Sequence, residues 1–149
     1  MSTDPGSAES AESVESRMAA LYERDLTCRQ LGIALDEVGS GRAVMRMRVG
    51  TDMVNGHGIA HGGYLFLLGD AAFSYACNSH GPVTLAQAAQ VTFLAPVEPG
   101  DELVAEAVER VRSGRQGVYD VTVRDAVTGK VVAEFRGQSV TLASRPATG

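Results

Sequence analysis

Residues 55–78 read NGHGIAHGGYLFLLGDAAFSYACN, a glycine- and histidine-rich entry followed by an apolar run with one aspartate, Asp70. The entry is predicted to be a loop, because so many glycines disfavour a helix. The run from Tyr64 to Cys77 is apolar nearly all round at helical spacing, which predicts a central helix buried on every side and beginning near Gly62. An ionised carboxylate buried there is costly unless it is paired or hydrogen-bonded. Asp70 is therefore the first candidate for a functional residue.

The bulk composition excludes several classes of protein. The chain has 149 residues, 44% of them hydrophobic, and a net charge of −5, which suits one domain with its own core. Its basic residues are scattered, so nucleic acid is not expected as a partner. No apolar run reaches the roughly 20 residues of a membrane span, and a signal peptide pattern is absent. Cys28 and Cys77 are interpreted as reduced core thiols of a cytoplasmic protein.

The rest of the chain predicts the helix and strands that surround the central helix. Residues 1–12 are small and polar and are predicted to form a flexible tail, before a single domain over residues 13–145. Ser13 is a plausible N-cap for an amphipathic helix that ends near Thr27. From Gly32 onward the apolar residues alternate, and turn-rich segments separate the runs. The predicted strands are 32–38, 42–49, 83–96, 101–111, 116–125 and 130–142. Short connections favour antiparallel pairing, so an α+β fold with one sheet wrapped around one helix is expected.

Gly62 and Gly63 lie where the central helix begins. Backbone N–H groups at this position lack intrahelical partners, and the helix dipole is positive there. Two glycines also allow another molecule to approach the backbone closely. The pair could therefore stabilise a developing oxyanion, although a tight turn packed against the sheet is the alternative.

Asp70 and Asn55 are the polar side chains that could act beside these N–H groups. Asp70 could be a general base that activates water, or a nucleophile itself, or a structural carboxylate that caps a neighbouring N–H group. Burial would raise its pKa and donors would lower it. Asn55 could donate from its amide to an ester or thioester oxygen. Because it precedes Gly56, it could equally be a turn residue.

Other candidate chemistries are weaker. His57 and His61 are four residues apart, but the glycines around them oppose a helix and no third ligand is in view, so no metal is expected. His61 is instead interpreted as a structural or substrate-positioning residue. Cys77 lies in the apolar part of the helix and is interpreted as core. Ser74 lacks the G-x-S-x-G context of a hydrolase nucleophile.

The helix rise constrains how these groups could act together. Asp70 follows Gly62 by eight residues, so the two lie about 12 Å apart along one axis. One carbonyl group cannot contact both within a single chain. Two antiparallel copies of the helix in a twofold dimer would bring Asp70 of one chain to Gly62 of the other. A catalytic role for both residues therefore predicts a homodimer with shared active sites.

The stretches NGHGIAHGG, FSYACNS, GRQGVYDVTV and EFRGQSV, together with Asp70, closely resemble hotdog-fold acyl-CoA thioesterases of the phenylacetate degradation type. The resemblance runs from about Ala19 to Leu142. It implies a hotdog fold, an acyl-CoA substrate with a small and aromatic acyl group, no cofactor, and homodimers that assemble into homotetramers. It also implies that Asp70 is base or nucleophile, that Gly62 polarises the thioester carbonyl, that Asn55 assists at the carbonyl or the sulfur, and that His61 shapes the loop.

The resemblance leaves two roles unassigned: the group that orients water and the groups that bind the coenzyme A phosphates. Some relatives carry a water-orienting serine on the third strand, where this chain has Ala86, Gln87 and Ala88; Gln87 or Gln90 could replace it. Coenzyme A phosphates need cations, and Arg110, Arg112 and Arg115 around one turn are the candidates, unless they form a solvated strand end. A hotdog dehydratase or hydratase and a non-catalytic acyl-CoA-binding module are the alternative functions.

Overall fold

The described residues form six strands, three α-helices and one short 3-10 helix (Thr51–Met53). The computed structural model describes residues 5–143, with side chains from Val14 onward. The elements are α1 (Pro5–Glu23), α2 (Leu26–Leu31), β1 (Ala34–Gly39), β2 (Arg42–Arg48), α3 (Gly62–Asn78), β3 (Thr84–Phe93), β4 (Glu102–Ser113), β5 (Gln116–Asp125) and β6 (Val131–Thr141). The sheet order is β1-β2-β4-β5-β6-β3, and every neighbouring pair is antiparallel. The predicted α+β architecture, an antiparallel sheet around one long helix with an N-terminal helix before it, is confirmed.

The N-terminal helix differs from its predicted bounds. It begins at Pro5 and ends at Glu23, so Ser13 lies inside it rather than at its N-cap. Alanine and glutamate are frequent in residues 8–12 and both favour a helix, a signal that the low complexity of the segment obscured. Of the predicted tail, residues 1–4 lie outside the described residues, and so do residues 144 and 145 of the predicted domain. The division at residue 13 stays a prediction.

A second, short helix follows where the first was expected to continue. The Asp25 carboxylate accepts a hydrogen bond from Cys28 N at 3.1 Å and caps α2. Gly32, with φ 70°, ends it. The other oxygen of Asp25 accepts from Tyr75 Oη at 3.0 Å, which ties α2 to α3. No helix within residues 5–143 is long and apolar enough to cross a bilayer.

The strands follow their predicted ranges closely. β5 has the predicted bounds, and the others differ by at most three residues at an end. β3 ends at Phe93 rather than near Pro96. Beyond it, the N–H groups of Leu94 and Ala95 both donate to Val132 O, at 2.9 and 3.3 Å, so the chain leaves the regular ladder of β6 there.

Close packing of glycines against aromatic rings holds α3 on the sheet. A Cβ atom on Gly137 of β6 would lie 2.8 Å from three ring atoms of Phe73 in α3. A Cβ on Gly69 would lie 3.1 Å from Phe135. The Phe73 ring also packs against the rings of Tyr119 and Phe135, with centroid distances of 5.5 and 5.9 Å. These contacts set both the depth and the rotation of α3.

One side of α3 is not covered within a single chain, in contrast to the predicted burial on every side. Phe66, Leu67, Asp70 and Ser74 are half-buried, and at 100° per residue they share one side of the helix; we call this the open face of α3. This face is covered only in part: Phe66 packs edge-on against Phe135, with a centroid distance of 5.3 Å. The strand β3 is an edge of the sheet and pairs with β6 alone. β3 and the residue after it also expose apolar side chains: Leu85 at 51%, Phe93 at 52% and Leu94 at 55%.

The glycine–aromatic packing makes a direct prediction for stability. Gly137→Ala should lower the free energy of unfolding by about 1–3 kcal/mol, because the added methyl group overlaps the ring of Phe73. Gly39→Ala is the matched control, since a Cβ there meets no atom within 4 Å. Urea unfolding at one fixed protein concentration measures both. A Gly137→Ala protein as stable as Gly39→Ala would contradict this account of how α3 is held.

Candidate active site

The loop before α3 is a compact, hydrogen-bonded turn. Asn55 N donates to Ile59 O at 2.8 Å, and Gly58 N donates to Asn55 O at 3.0 Å. Gly58 has φ 78°, a conformation that favours glycine. The turn is anchored on both sides, because Ala60 N donates to Val97 O at 2.7 Å and His61 N donates to Met53 O at 2.8 Å. The loop therefore presents its side chains from a fixed backbone.

The side chain of Asn55 is oriented by the same turn. Its Oδ1 atom accepts a hydrogen bond from His57 N at 2.9 Å. This is the turn role predicted as one alternative, and it leaves the amide Nδ2 group with no acceptor among the described residues. Because Oδ1 is fixed, the direction of the Nδ2 donor is fixed as well. The turn role and the donor role are compatible.

Gly62 opens α3 at the end of this loop. No described residue accepts a hydrogen bond from the N–H group of Gly62 or Gly63. His61 occupies the N-cap position, but its side chain makes no capping hydrogen bond. A Cβ on Gly62 would lie 2.8 Å from Phe93 Cζ, so a side chain there would require the half-exposed Phe93 ring to move. The start of α3 thus combines free donors with the positive end of the helix dipole.

A groove of about 550 Å³ runs along the start of α3 and brings three of the predicted site residues together. Asn55, His61 and Gly62 supply its polar part. Its remaining walls are mostly apolar: Ile59, Ala60, Leu65, Phe93, Leu94, Ala95, Pro96 and Val97. An apolar groove with a few convergent donors is the usual form of a small-molecule site.

Asp70 lies two turns further along α3 and does not line this groove. It is half-buried on the open face of the helix. No described residue forms a hydrogen bond or ion pair with its carboxylate, and burial raises its pKa above the ordinary value of 3.8. One alternative for Asp70 was a structural role, in which its carboxylate caps a neighbouring N–H group. Among the described residues, Asp70 caps no such group.

Comparison with known proteins decides the family. The model of the thioesterase superfamily matches residues 57–132, which include the second half of the loop and all of α3. The acyl-coenzyme A thioesterase PaaI of Escherichia coli is 44% identical over 120 residues, covering 80% of this chain and 85% of that protein. This chain belongs to the thioesterase superfamily. It is a thioester hydrolase with the hotdog fold.

Two solved structures of PaaI proteins are similar to this thioesterase. The structure of E. coli PaaI matches with a TM-score of 0.87 and 40% identity, covering 90% of this chain and 96% of that one. A variant of the phenylacetic acid degradation protein PaaI from Thermus thermophilus matches with a TM-score of 0.74 and 35% identity, covering 78% of this chain and 98% of that one.

The three arginines predicted for phosphate contacts are not all together in the thioesterase. Arg112 and Arg115 line one cavity of about 190 Å³ where β4 and β5 meet the C-terminal end of α3. Arg110 lies elsewhere, on the outer face of the sheet. Its Nε atom is 3.3 Å from Asp120, which also accepts two hydrogen bonds from Arg136 at 2.6 and 2.9 Å. A bulge in β4 between Glu109 and Val111 separates Arg110 from the other two.

A hydrogen-bonded cluster at the same end of α3 was not predicted. His80 Nε2 is 2.6 Å from Glu109 Oε2, which also accepts from Tyr119 Oη at 3.0 Å. Arg112 Nε lies 3.4 Å from the other carboxylate oxygen. These contacts hold the pKa of Glu109 below its ordinary value against the opposing effect of burial. The cluster joins residues that are far apart in the sequence, and no sequence motif or spacing predicts it.

The other candidate groups are two histidines of the loop and two cysteines. His57 and His61 are exposed, and no group of three His, Cys, Asp or Glu side chains within residues 5–143 could hold a metal ion. Cys28 and Cys77 are unpaired and buried. Burial raises the pKa of both thiols to about 12, so neither is a ready nucleophile near neutral pH.

The environment of Asp70 predicts an unusual dependence of stability on pH. Because its pKa is raised, the folded chain binds the Asp70 proton more tightly than the unfolded chain does. Ionised Asp70 therefore destabilises the fold at neutral pH, and this effect disappears as the pH falls through the raised pKa towards 3.8. Asp70→Asn should be more stable than the wild type at about pH 7, with a difference that shrinks towards about pH 4.

Urea unfolding of both proteins across this range measures the difference. Glu23→Gln, which removes an exposed carboxylate from α1, is the control and should show no such gain. A difference between Asp70→Asn and wild type that is absent at neutral pH, or constant with pH, would contradict the raised pKa.

Proposed function

We propose that this thioesterase hydrolyses small aromatic acyl-CoA thioesters, such as phenylacetyl-CoA, to the free acid and coenzyme A. Similarity over most of both chains to the acyl-coenzyme A thioesterase of E. coli supports acyl-CoA thioesterase activity. The phenylacetic acid degradation context named for the similar structures supports the aromatic acyl group. The observation that carries the proposal is the apolar groove that Asn55 and Gly62 both line, with Asp70 on the same helix as Gly62.

Each site residue has a role in this proposal. The N–H group of Gly62 donates to the thioester carbonyl oxygen and stabilises the charge that develops there. The Nδ2 group of Asn55 donates to the same oxygen or to the leaving sulfur. His61 shapes the loop that holds both donors. Asp70 supplies the base or the nucleophile, and its raised pKa brings its proton affinity closer to that useful at neutral pH.

The reaction balances by either route. As a base, Asp70 accepts a proton from water while the water oxygen bonds to the thioester carbon; the tetrahedral intermediate then expels the sulfur, which takes the proton from Asp70. As a nucleophile, Asp70 displaces the thiolate and forms a mixed anhydride, which water then cleaves to the acid and free Asp70. The two routes place the same groups around the thioester.

The separation of Asp70 from the groove supports a homodimer with shared active sites. Gly62 and Asp70 are about 12 Å apart along α3, too far for one carbonyl group to contact both. The free edge of β3 and the open face of α3 are unpaired in one chain and carry apolar side chains. Two chains joined there with antiparallel helices would bring Asp70 of one chain to the groove of the other. Assembly of two dimers into a homotetramer is proposed on the family resemblance alone.

Arg112 and Arg115 are the proposed contacts for the coenzyme A phosphates. They share one cavity, and guanidinium groups bind phosphate oxygens strongly. Arg110 is the weaker candidate, because it lies on the outer face of the sheet and does not line that cavity.

The catalytic role of Asp70 is the first test of the proposal. Asp70→Asn should lower kcat for phenylacetyl-CoA by roughly 100- to 10,000-fold, since the amide neither accepts a proton from water nor attacks as an anion. Release of free coenzyme A, followed with a thiol-reactive dye, measures the rate. Glu23→Gln should retain wild-type activity. A folded Asp70→Asn protein with near-wild-type turnover would overturn the assignment.

The same assay separates the alternative functions. A hydratase would add water to an unsaturated acyl-CoA without releasing thiol, and a binding module would bind acyl-CoA without turnover. The acid–histidine pair that a hydratase needs exists as Glu109 and His80, but it lies at the opposite end of α3 from the groove.

The arginine assignment predicts a dependence on the nucleotide part of the substrate. Arg115→Ala should raise KM for phenylacetyl-CoA by roughly tenfold, and leave KM unchanged for the phenylacetyl thioester of N-acetylcysteamine, which has no phosphates. Arg124→Ala removes another exposed arginine and should change neither value. Equal effects of Arg115→Ala on both substrates would show that Arg115 does not bind phosphate.

A further inference from the structure

We propose that the cavity at the C-terminal end of α3 binds the 3′-phosphate of coenzyme A, with Arg112 and Arg115 at its mouth and the Ser139 hydroxyl on its inner wall. This inference rests on the proposed function, because it names the part of the acyl-CoA substrate that this cavity recognises. It predicts that the thioesterase distinguishes coenzyme A from 3′-dephospho-coenzyme A, which lacks only that phosphate.

The cavity has a buried inner wall and an exposed mouth. Its volume is about 190 Å³, against about 550 Å³ for the groove at the start of α3. Cys77, Tyr119 and Ser139 line it and are buried, whereas Arg112 and Arg115 line it and are exposed. Such a shape suits a group that ends inside the cavity. The 3′-phosphate is an end group, whereas the diphosphate of coenzyme A carries a chain on both sides.

The Ser139 hydroxyl is a buried donor with no partner among the described residues. Ser139 is 3% exposed and lines the cavity. Gly117 lies opposite it in β5, and a Cβ atom there would be 2.8 Å from Ser139 Oγ, so glycine leaves the hydroxyl its space. The Thr84 hydroxyl, in contrast, donates to Pro82 O at 3.0 Å and lies 3.0 Å from Thr141 Oγ1. Because buried polar groups normally have partners, the Ser139 hydroxyl indicates that the cavity takes a hydrogen-bond acceptor.

The two arginines at the mouth can both bind an anion. Glu109 Oε1 lies 3.4 Å from Arg112 Nε, which leaves the two Nη groups of Arg112 without a partner among the described residues. The side chain of Arg115 likewise pairs with no described residue, whereas Arg42 and Arg136 pair with carboxylates. A phosphate monoester carries a charge of about −1.5 to −2 at pH 7. Two guanidinium groups therefore match the 3′-phosphate in charge.

The nearby carboxylate of Glu109 is already engaged. Its Oε2 atom lies 2.6 Å from His80 Nε2 and accepts a hydrogen bond from Tyr119 Oη at 3.0 Å. Its Oε1 atom faces Arg112 Nε. Glu109 itself does not line the cavity. The carboxylate therefore holds Arg112 from one side and leaves the cavity to an anion.

The cavity lies on the same side of α3 as Asp70. Cys77, in its inner wall, follows Asp70 by two turns of the helix, about 10 Å along the axis, whereas Gly62 lies about 22 Å from Cys77 along that axis. In the proposed dimer, the thioester lies at Asp70 of one chain and at Gly62 of the other. The nearer cavity then belongs to the chain that supplies Asp70. The pantetheine arm and the diphosphate, which separate the thioester from the ribose, are long enough to span this distance.

Binding of the two coenzymes, measured by calorimetry, tests the cavity without turnover. The wild type should bind coenzyme A roughly 10- to 100-fold more tightly than 3′-dephospho-coenzyme A, because hydrogen bonds between charged groups are strong. Arg112→Ala should weaken binding of coenzyme A by roughly tenfold, and Ser139→Ala by roughly threefold. Both variants should leave Kd for 3′-dephospho-coenzyme A within about twofold, since removal of the phosphate and removal of its partner abolish the same interaction. Thr27→Ala, which removes an exposed hydroxyl from α2, is the control and should change neither Kd.

Hydrolysis gives a second readout with the thiol-reactive dye. Arg112→Ala should raise KM for phenylacetyl-CoA by roughly tenfold and keep kcat within about twofold. Its KM for phenylacetyl-3′-dephospho-CoA should equal that of the wild type. The midpoint of thermal unfolding should not fall in Ser139→Ala, because the lost hydroxyl has no partner among the described residues.

The outcomes separate this inference from the proposed function. A wild type that releases thiol from both thioesters with the same KM, and binds both coenzymes equally, would leave the proposed function standing and overturn the 3′-phosphate site. Equal weakening of both coenzymes by Arg112→Ala would also overturn it, because the cavity would then bind a part that the two share. A wild type that prefers coenzyme A but releases no thiol from phenylacetyl-CoA would support the site and overturn the proposed function.

Discussion

The rigid spacing of Gly62 and Asp70 on one helix is the constraint on which the account of the site depends. Eight residues of helix separate them by about 12 Å, and the packing of Gly69 and Gly137 against phenylalanine rings fixes the helix on the sheet. Neither residue can move to meet the other within one chain. In the proposed mechanism the groove around Gly62 holds only part of the reaction chemistry, and we propose that a second chain at the edge of β3 and the open face of α3 supplies the rest.

The same arrangement explains why a half-buried carboxylate persists on an apolar helix face. Asp70 has no partner among the described residues, so it destabilises the folded chain when it is ionised. Stability lost at an active site is commonly the cost of function. In the proposed dimer, a second chain covering the open face would bury Asp70 further, which raises its pKa, and would bring it to the donors of the groove, which lower it.

Much of the fold and of the candidate site could be predicted from the sequence, because the signals that locate the strands and helices are local. Alternation and turn residues located all six strands, the apolar run located α3, and the glycines located its start at Gly62. The capping of α2 by Asp25 was missed because it interrupts an otherwise continuous helical pattern. The Glu109–His80–Tyr119 cluster and the separation of Arg110 from Arg112 depend on strand pairing and on one bulge, which no local pattern encodes.

Complementation between two inactive variants tests the shared site most directly. Asp70→Asn removes the carboxylate; Asn55→Asp removes the amide donor but keeps an acceptor for His57 N. Refolded together in equal amounts, the two should form mixed dimers as half of the population, each with one site that carries both lesions and one that carries neither. The account predicts thiol release at about a quarter of the wild-type rate, since one site in two is intact in half of the dimers. Activity no higher than that of the parents, with mixed dimers verified by mass, would show that each site lies within one chain.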